Sequence, residues 1–314
     1  MIVPAQQAKP LECRSTAMLR ASQLAVFLGV TLHGPDLEIE KPYPISESAA
    51  HGLYFVKRFR RRWVDALNSI PESLVLAGEE YAGLLCGSHL LVQNPRLAMA
   101  RVLRQFFAPE ISPQIASTAS VHRNARLGQR VFIGEYSVIG DGAVIGDETV
   151  IGHHVVIAPG TRIGCGCVIK SHSVIGEEGF AFEFDEQKRP VRIPHLGRVI
   201  LGDEVEIGAL CTVARGTLGD TILEDEVKLD DHVHIAHNVR IGSRTLLTAC
   251  AEVSGSVEIG RDVWVGPNAT VNNGVKIADE NLIGIGSVVL LSTQPGERLS
   301  GNPARPVLID EGDE

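Results

Sequence analysis

Three histidines fall within one short stretch of the chain, LDDHVHIAHNVRIG from Leu229 to Gly242: His232, His234 and His237. Histidine is suited to general-base work because its unperturbed pKa of about 6.5 leaves free imidazole available at neutral pH. Eighteen residues after His237 stands Gly255. If the chain coils with an eighteen-residue period, Gly255 stacks one coil away, where its backbone N–H could stabilise an oxyanion. Two other readings compete. The histidines are simply solvated, or His232 and His237, five residues apart, are ligands of a zinc site like that between subunits of γ-class carbonic anhydrases. Zinc needs a third protein ligand in good geometry, and His195, in an irregular segment, is a poor one. The sequence gives no reason to expect a resident metal.

The eighteen-residue period is written in the rest of the chain. An aliphatic residue returns every sixth position from Ile115 through Val121, Leu127 and Ile133 to Ile175, at Leu201, Ile207 and Val213, and from Leu223 to Val289, twenty-six hexads in all. Six matches neither the 3.6 of a helix nor the alternation of a single strand. It is a repeat architecture: three flat faces, each with its aliphatic residue inward, close one coil of a triangular prism. Coils stacked at about 4.8 Å give a prism on the order of 40 Å long. In SVIGDG, AVIGDE and TVIGHH (Ser137 to His154), the glycine after the aliphatic residue reads as a corner adopting positive φ. Ile235 then points inward, and Ala236, His237 and Asn238 lie at the next corner.

The expected fold is mainly β, a parallel β-helix over residues 111–292 with a small α/β domain over 18–110. Residues 1–17 read as a loose tail and 293–314 as a short C-terminal tail. In the α/β part, ASQLAVFLG and PRLAMARVLRQFF look helical, and LYFVK and SLVLAG look like strands. The hexads lapse over 179–197, where GFAFEFDEQKRPVRIPHLG keeps three phenylalanines. A long loop interrupting a rigid repeat usually carries function. A net charge of −9 argues against a nucleic-acid surface; the one basic run, Lys57 to Arg62, reads as a solvated face. The six cysteines lack paired metal-ligand spacing and are expected to stay reduced. Without a twenty-residue apolar stretch or a charged-then-apolar leader, the chain reads as cytoplasmic, with no membrane span. His122, His153, His154 and His172 read as solvent-exposed corner residues, and Trp264 as outward-facing.

The run from GFAF at Gly179 through IPHLGRVILGDEVEIGALCTVARGTLGDTIL to HIAHNVRIG closely resembles the UDP-3-O-acylglucosamine N-acyltransferases of lipid A biosynthesis, as do LGVTLHG from Leu28 and NPRLAMARVL from Asn94. The resemblance implies a left-handed prism, a homotrimer with active sites between subunits, and acyl transfer from a phosphopantetheine thioester to the amine of a nucleotide-linked sugar. It implies no permanently bound cofactor, the acyl donor being a co-substrate. By position it implies that His237 is the base, Gly255 the oxyanion donor, Asp230 and Asn238 lining residues, with Asp230 able to orient a neighbouring imidazole, and Phe55 an aromatic packing on uracil.

Three departures stand beside it. Gly274 occupies the place of the family's second active-site histidine. Arg58 and Arg61, with Trp63 nearby, replace the Asn and Tyr that follow the uracil-contacting aromatic, which suggests a nucleotide held differently. The family's C-terminal helical extension is absent, and Gly301-Asn302-Pro303-Ala304-Arg305 resembles the ending of coenzyme A-dependent hexapeptide acetyltransferases. These departures point to a short acyl-CoA as donor, with Arg305 near its phosphates. The alternative is the lipid A reaction itself, hydroxyacyl carrier protein with UDP-3-O-acylglucosamine.

Overall fold

The computed structural model describes residues 19–307; the segments 1–17 and 308–314 read above as tail, with Cys13, lie outside the described residues. The chain divides into two compact units that meet between Ile111 and Ser112.

The first unit is a five-stranded sheet in the order Leu32–His33, Ser88–Leu91, Leu74–Ala77, Gly52–Phe55, Lys41–Pro42. Only the first pairing is antiparallel. Helix Ala21–Leu28 ends at Gly29, and helix Pro95–Val102 starts with Pro95 after Asn94, whose side chain accepts from Leu97 N at 3.0 Å. One apolar layer joins Leu24, Leu53, Leu76, Leu90 and Met99. Another gathers Tyr54, Val64, Leu67, Val75 and Tyr81 around helix Arg61–Asn68.

The second unit is a left-handed parallel β-helix, whose three faces are sheets of 11, 8 and 9 strands. Pairing follows the eighteen-residue period: Ile133 lies beside Ile151, Ile151 beside Ile169, and Ile235 beside Val253. The aliphatic column forms the core. From Ile133 to Val289 every inward residue is at most 4% exposed, whereas Ile115, on the first coil, is 53% exposed. Trp264 faces outward and is exposed.

The corners correct one reading of the repeat. Positive φ occurs three residues after the inward aliphatic, at Tyr136, Glu148, His232 and Asn238 among others; of the glycines directly after it, only Gly176, where the loop leaves, has positive φ. Glycine in that place is required for another reason: a Cβ at Gly134 would lie 2.6 Å from Gly152 O, and one at Gly146 would lie 2.5 Å from Gly164 C. Coils stacked at strand spacing leave no room there for a side chain.

Both interruptions of the repeat leave by the same prism edge, the one running from the 9-stranded to the 8-stranded face. Between Val174–Ile175 and Val199–Leu201 the chain throws out a loop carrying the antiparallel hairpin Phe182–Phe184/Pro190–Arg192. Between Thr212–Val213 and Thr221–Leu223 it inserts the register slip at Gly219. His237 follows strand His234–Ile235 of the 9-stranded face and precedes Arg240–Ile241 of the 8-stranded face, so it stands on that edge too. No helix among the described residues is long and apolar enough to cross a membrane.

Candidate active site

Asn238 fixes the tautomer of His237. Thr217 donates to Asn238 Oδ1 from both its backbone N (3.1 Å) and its hydroxyl (2.9 Å), so that oxygen is committed as an acceptor. His237 Nδ1 lies 3.1 Å from the same oxygen and must therefore carry the hydrogen. Nε2 is left with its lone pair free, the form a general base requires. Thr217 belongs to the four-residue register slip, which gives that insertion a purpose: it brings a donor to the edge. Asn238 itself sits at φ 61, a conformation asparagine tolerates, and its backbone N donates to Thr221 Oγ1 at 2.9 Å.

Gly255 lies directly over the free end of this ring. A Cβ on Gly255 would meet His237 Cε1 at 2.7 Å and Nε2 at 2.8 Å, so only glycine leaves the imidazole its place. At comparable corners a side chain of the next coil accepts the backbone N–H, as Asp147 does for Gln129 and Asp279 for Arg261. The Gly255 N–H donates to no group among the described residues. Its carbonyl instead accepts from Gly274 N at 3.0 Å, and Asn273 in the next coil reaches the same carbonyl through its amide nitrogen at 2.8 Å. Gly274, at φ 70, has open space around it and brings no side chain to the site.

The loop closes the other side. Phe180, Ala181, Phe182, Phe184, Pro190 and Ile193 line an apolar groove of about 580 Å³ that ends on His237. Phe180 and Phe184 are largely exposed along it. His195, dismissed above as a metal ligand, is buried against His237, ring centroids 5.5 Å apart and planes at 75°. Burial, and then the neighbouring His237, hold its pKa below the ordinary histidine value. Sequence reading missed this contact because the loop has no period from which to place a residue.

Other expected site residues are placed elsewhere. Asp230 stands on the preceding edge, between the 11- and 9-stranded faces, with Oδ1 accepting from Asp231 N at 2.8 Å. It does not orient the imidazole of its own chain; Asn238 does. His232 shares that preceding edge, and no three His, Cys, Asp or Glu side chains among the described residues are arranged to hold a metal ion. Burial pushes the Cys167 and Cys211 thiols up to about 11, so neither supplies a thiolate. In the first unit, Phe55 and Arg58 line a cavity of about 640 Å³ with Tyr43, Ile45, Arg60 and Trp63. Arg61 begins the adjacent helix and is not among the lining residues. Tyr43 and Arg60 were not singled out from sequence, though Arg60 lies in the basic run. Arg305 is exposed on the terminal hairpin, its Nη1 donating to Ala304 O at 3.0 Å.

Comparisons with known proteins agree with this geometry. Residues 124–159 match the family model "Bacterial transferase hexapeptide (six repeats)". The UDP-3-O-acylglucosamine N-acyltransferase of Coxiella burnetii (strain RSA 493 / Nine Mile phase I) is 36% identical over 302 residues, covering 89% of this chain and 87% of that protein. The enzyme of the same name from Pseudomonas fluorescens (strain SBW25) is 36% identical over 314 residues, covering 93% and 88%. Among solved structures, UDP-N-acetylglucosamine O-acyltransferase from Moraxella catarrhalis superposes with a TM-score of 0.58 at 27% identity, over 63% of this chain and 75% of that one. Likeness to these two N-acyltransferases over 89% and 93% of the chain leads to one conclusion: this chain belongs to the UDP-3-O-acylglucosamine N-acyltransferase family.

Proposed function

We propose that this N-acyltransferase moves a long acyl chain from a phosphopantetheine thioester on acyl carrier protein to the amine of UDP-3-O-acylglucosamine, the acceptor in its relatives' name. The observation that carries this reading is the free Nε2 of His237 at the end of an apolar groove and beside an unused Gly255 N–H. His237 Nε2 takes the proton as the amine nitrogen bonds to the thioester carbonyl carbon. The carbonyl oxygen becomes an oxyanion stabilised by the Gly255 N–H. The C–S bond then breaks and the imidazolium returns its proton to the leaving thiolate. Nothing in this sequence calls for a bound cofactor.

The groove favours the lipid A reaction over transfer from a short acyl-CoA. Phe180, Phe182, Phe184 and Ile193 offer apolar surface that a short acyl group would leave in water, whereas a long hydroxyacyl chain covers it. The curated relatives favour the same choice. In the first unit, the rings of Tyr43, Phe55 and Trp63 offer faces for a nucleobase, and Arg58 and Arg60 offer charge for phosphates. Asp230 lies on a different edge from His237, an arrangement suited to a site completed by a second copy in a homotrimer. A cytoplasmic location fits both substrates. Sedimentation of the purified protein is expected to give three times the chain mass; a fully active monomer would remove the shared site.

The decisive assay offers UDP-3-O-acylglucosamine with either 3-hydroxyacyl carrier protein or a panel of acyl-CoA thioesters. Amide formation is expected with the carrier protein and to be much slower with every short acyl-CoA. Transfer from short acyl-CoA alone, weakened through donor KM by Arg305→Ala, would reject this reading and restore the coenzyme A one.

A further inference from the structure

His195 is 3% exposed and belongs to the loop, outside the aliphatic column that fills the prism. Its Nδ1 lies 3.1 Å from Ile193 O; a carbonyl only accepts, so Nδ1 carries the hydrogen and Nε2 is a bare acceptor. That Nε2 is shut off from solvent and has no hydrogen-bond partner. An acceptor left unmade in a dry place costs stability that an apolar side chain of similar volume would not. This end of the ring lies beside Gly179, which also adjoins His237. A Cβ on Gly179 would lie 3.2 Å from His195 Nε2 and 3.5 Å from His237 Cβ. The N–H end donates to Ile193 O. An imidazole's dipole is negative at its bare nitrogen, and the two rings lie 5.5 Å apart, close enough for that dipole to act on a charge on His237.

We propose that His195 is a positioning residue for the base: a neutral histidine, packed against His237 with its bare Nε2 buried, that favours the imidazolium that His237 becomes on deprotonating the acceptor amine. This rests on His237 being the base. The charge environment agrees with it. Burial is the main influence holding the pKa of His195 down, and a charge on His237 lowers it further, which keeps the His195 ring neutral. The other charged groups facing His195 are Glu178 and Arg192. Glu178 Oε1 accepts from His195 N at 3.4 Å and favours a charged ring; Arg192 opposes it. Arg192 Nη1 lies 3.5 Å from Glu178 Oε2, so the two largely offset one another. His195 and the apolar groove share one loop, which ties the base's proton affinity to the docking of the element that receives the acyl chain.

The test is a pH titration of histidine ¹⁵N resonances in the full-length protein, with kinetics of two variants. In the wild type, His237 is expected to titrate while His195 stays neutral with its hydrogen on Nδ1. His195→Leu should lower the His237 midpoint by roughly half to one pH unit and kcat by about three- to tenfold, leaving acceptor KM unchanged. His195→Gln, which restores a side-chain acceptor, should recover most of both. Protonation of His195 in step with His237, or a His195→Leu variant with unaltered titration and kcat, would reduce His195 to packing. The wild-type titration decides the matter even if the Leu variant does not fold. A fully active His237→Ala would remove the base itself, a separate failure from either of these.

Discussion

Replacing His237 with Ala is expected to lower turnover by about 10²- to 10⁴-fold while leaving nucleotide binding nearly intact, the signature of a lost general base. The size of the effect follows from how much structure is committed to one imidazole. Asn238 and Thr217 hold its tautomer, Gly255 makes room at its free end, and His195 packs against it from the loop. No other histidine on this edge is placed to replace it. The cavity lined by Tyr43, Phe55 and Trp63 lies wholly in the first unit and does not include His237, so nucleotide affinity should survive. His153→Ala is the matched control. That ring serves the corner, its Nδ1 accepting from Glu135 N at 2.9 Å, and its loss should do little to turnover. Initial rates and nucleotide binding by calorimetry check both. Wild-type turnover in His237→Ala would mean that the amine is deprotonated by another group.

What could be read in the sequence depended on whether a residue lay inside the period. Ile133, Ile235 and Val253 declared the prism because a period of six admits only inward aliphatics at those places, and the same arithmetic set Gly255 one coil from His237. Where the period lapses, the arithmetic has no purchase. His195 could not be placed from sequence because the path of the loop over 179–197 depends on tertiary contacts, and the four residues of the register slip hid Thr217 for the same reason. Asp230 illustrates a different failure. It is seven residues from His237, yet the face of the prism carrying strand His234–Ile235 separates their edges, and the resemblance that paired it with an imidazole did not say on which chain that imidazole lies. Asn238 was named as a lining residue, but its role in holding the tautomer needed the Thr217 hydrogen bonds, which no spacing reveals. The corner glycines were given the wrong reason: their number was legible, but the clash that requires them is with the next coil, a contact a single hexad does not display.

Gly255→Ala should be nearly as damaging as removal of the base, with kcat expected to fall by about 10²-fold or more and substrate KM values to change far less. The substitution keeps the backbone N–H, so what it tests is space. The new methyl would sit 2.7 Å from His237 Cε1 and 2.8 Å from Nε2, closer than packed atoms allow. The ring has few ways to yield. Turning about its side-chain bonds breaks the Nδ1–H hydrogen bond to Asn238 and frees the tautomer, and moving towards the loop drives it into Gly179 and His195. Backbone strain is not the cause, because Gly255 is not among the glycines at positive φ. Gly274→Ala, one coil further along, reverses the circumstances. It meets no atom within 4 Å but must hold an L-residue at φ 70, so it should cost about 1 kcal/mol of stability and little activity. Thermal denaturation and steady-state kinetics on the two variants separate steric displacement of the base from general weakening of the edge. A Gly255→Ala enzyme that turns over normally would show that the imidazole does its work somewhere other than beneath this glycine, and the oxyanion assignment would fall with it.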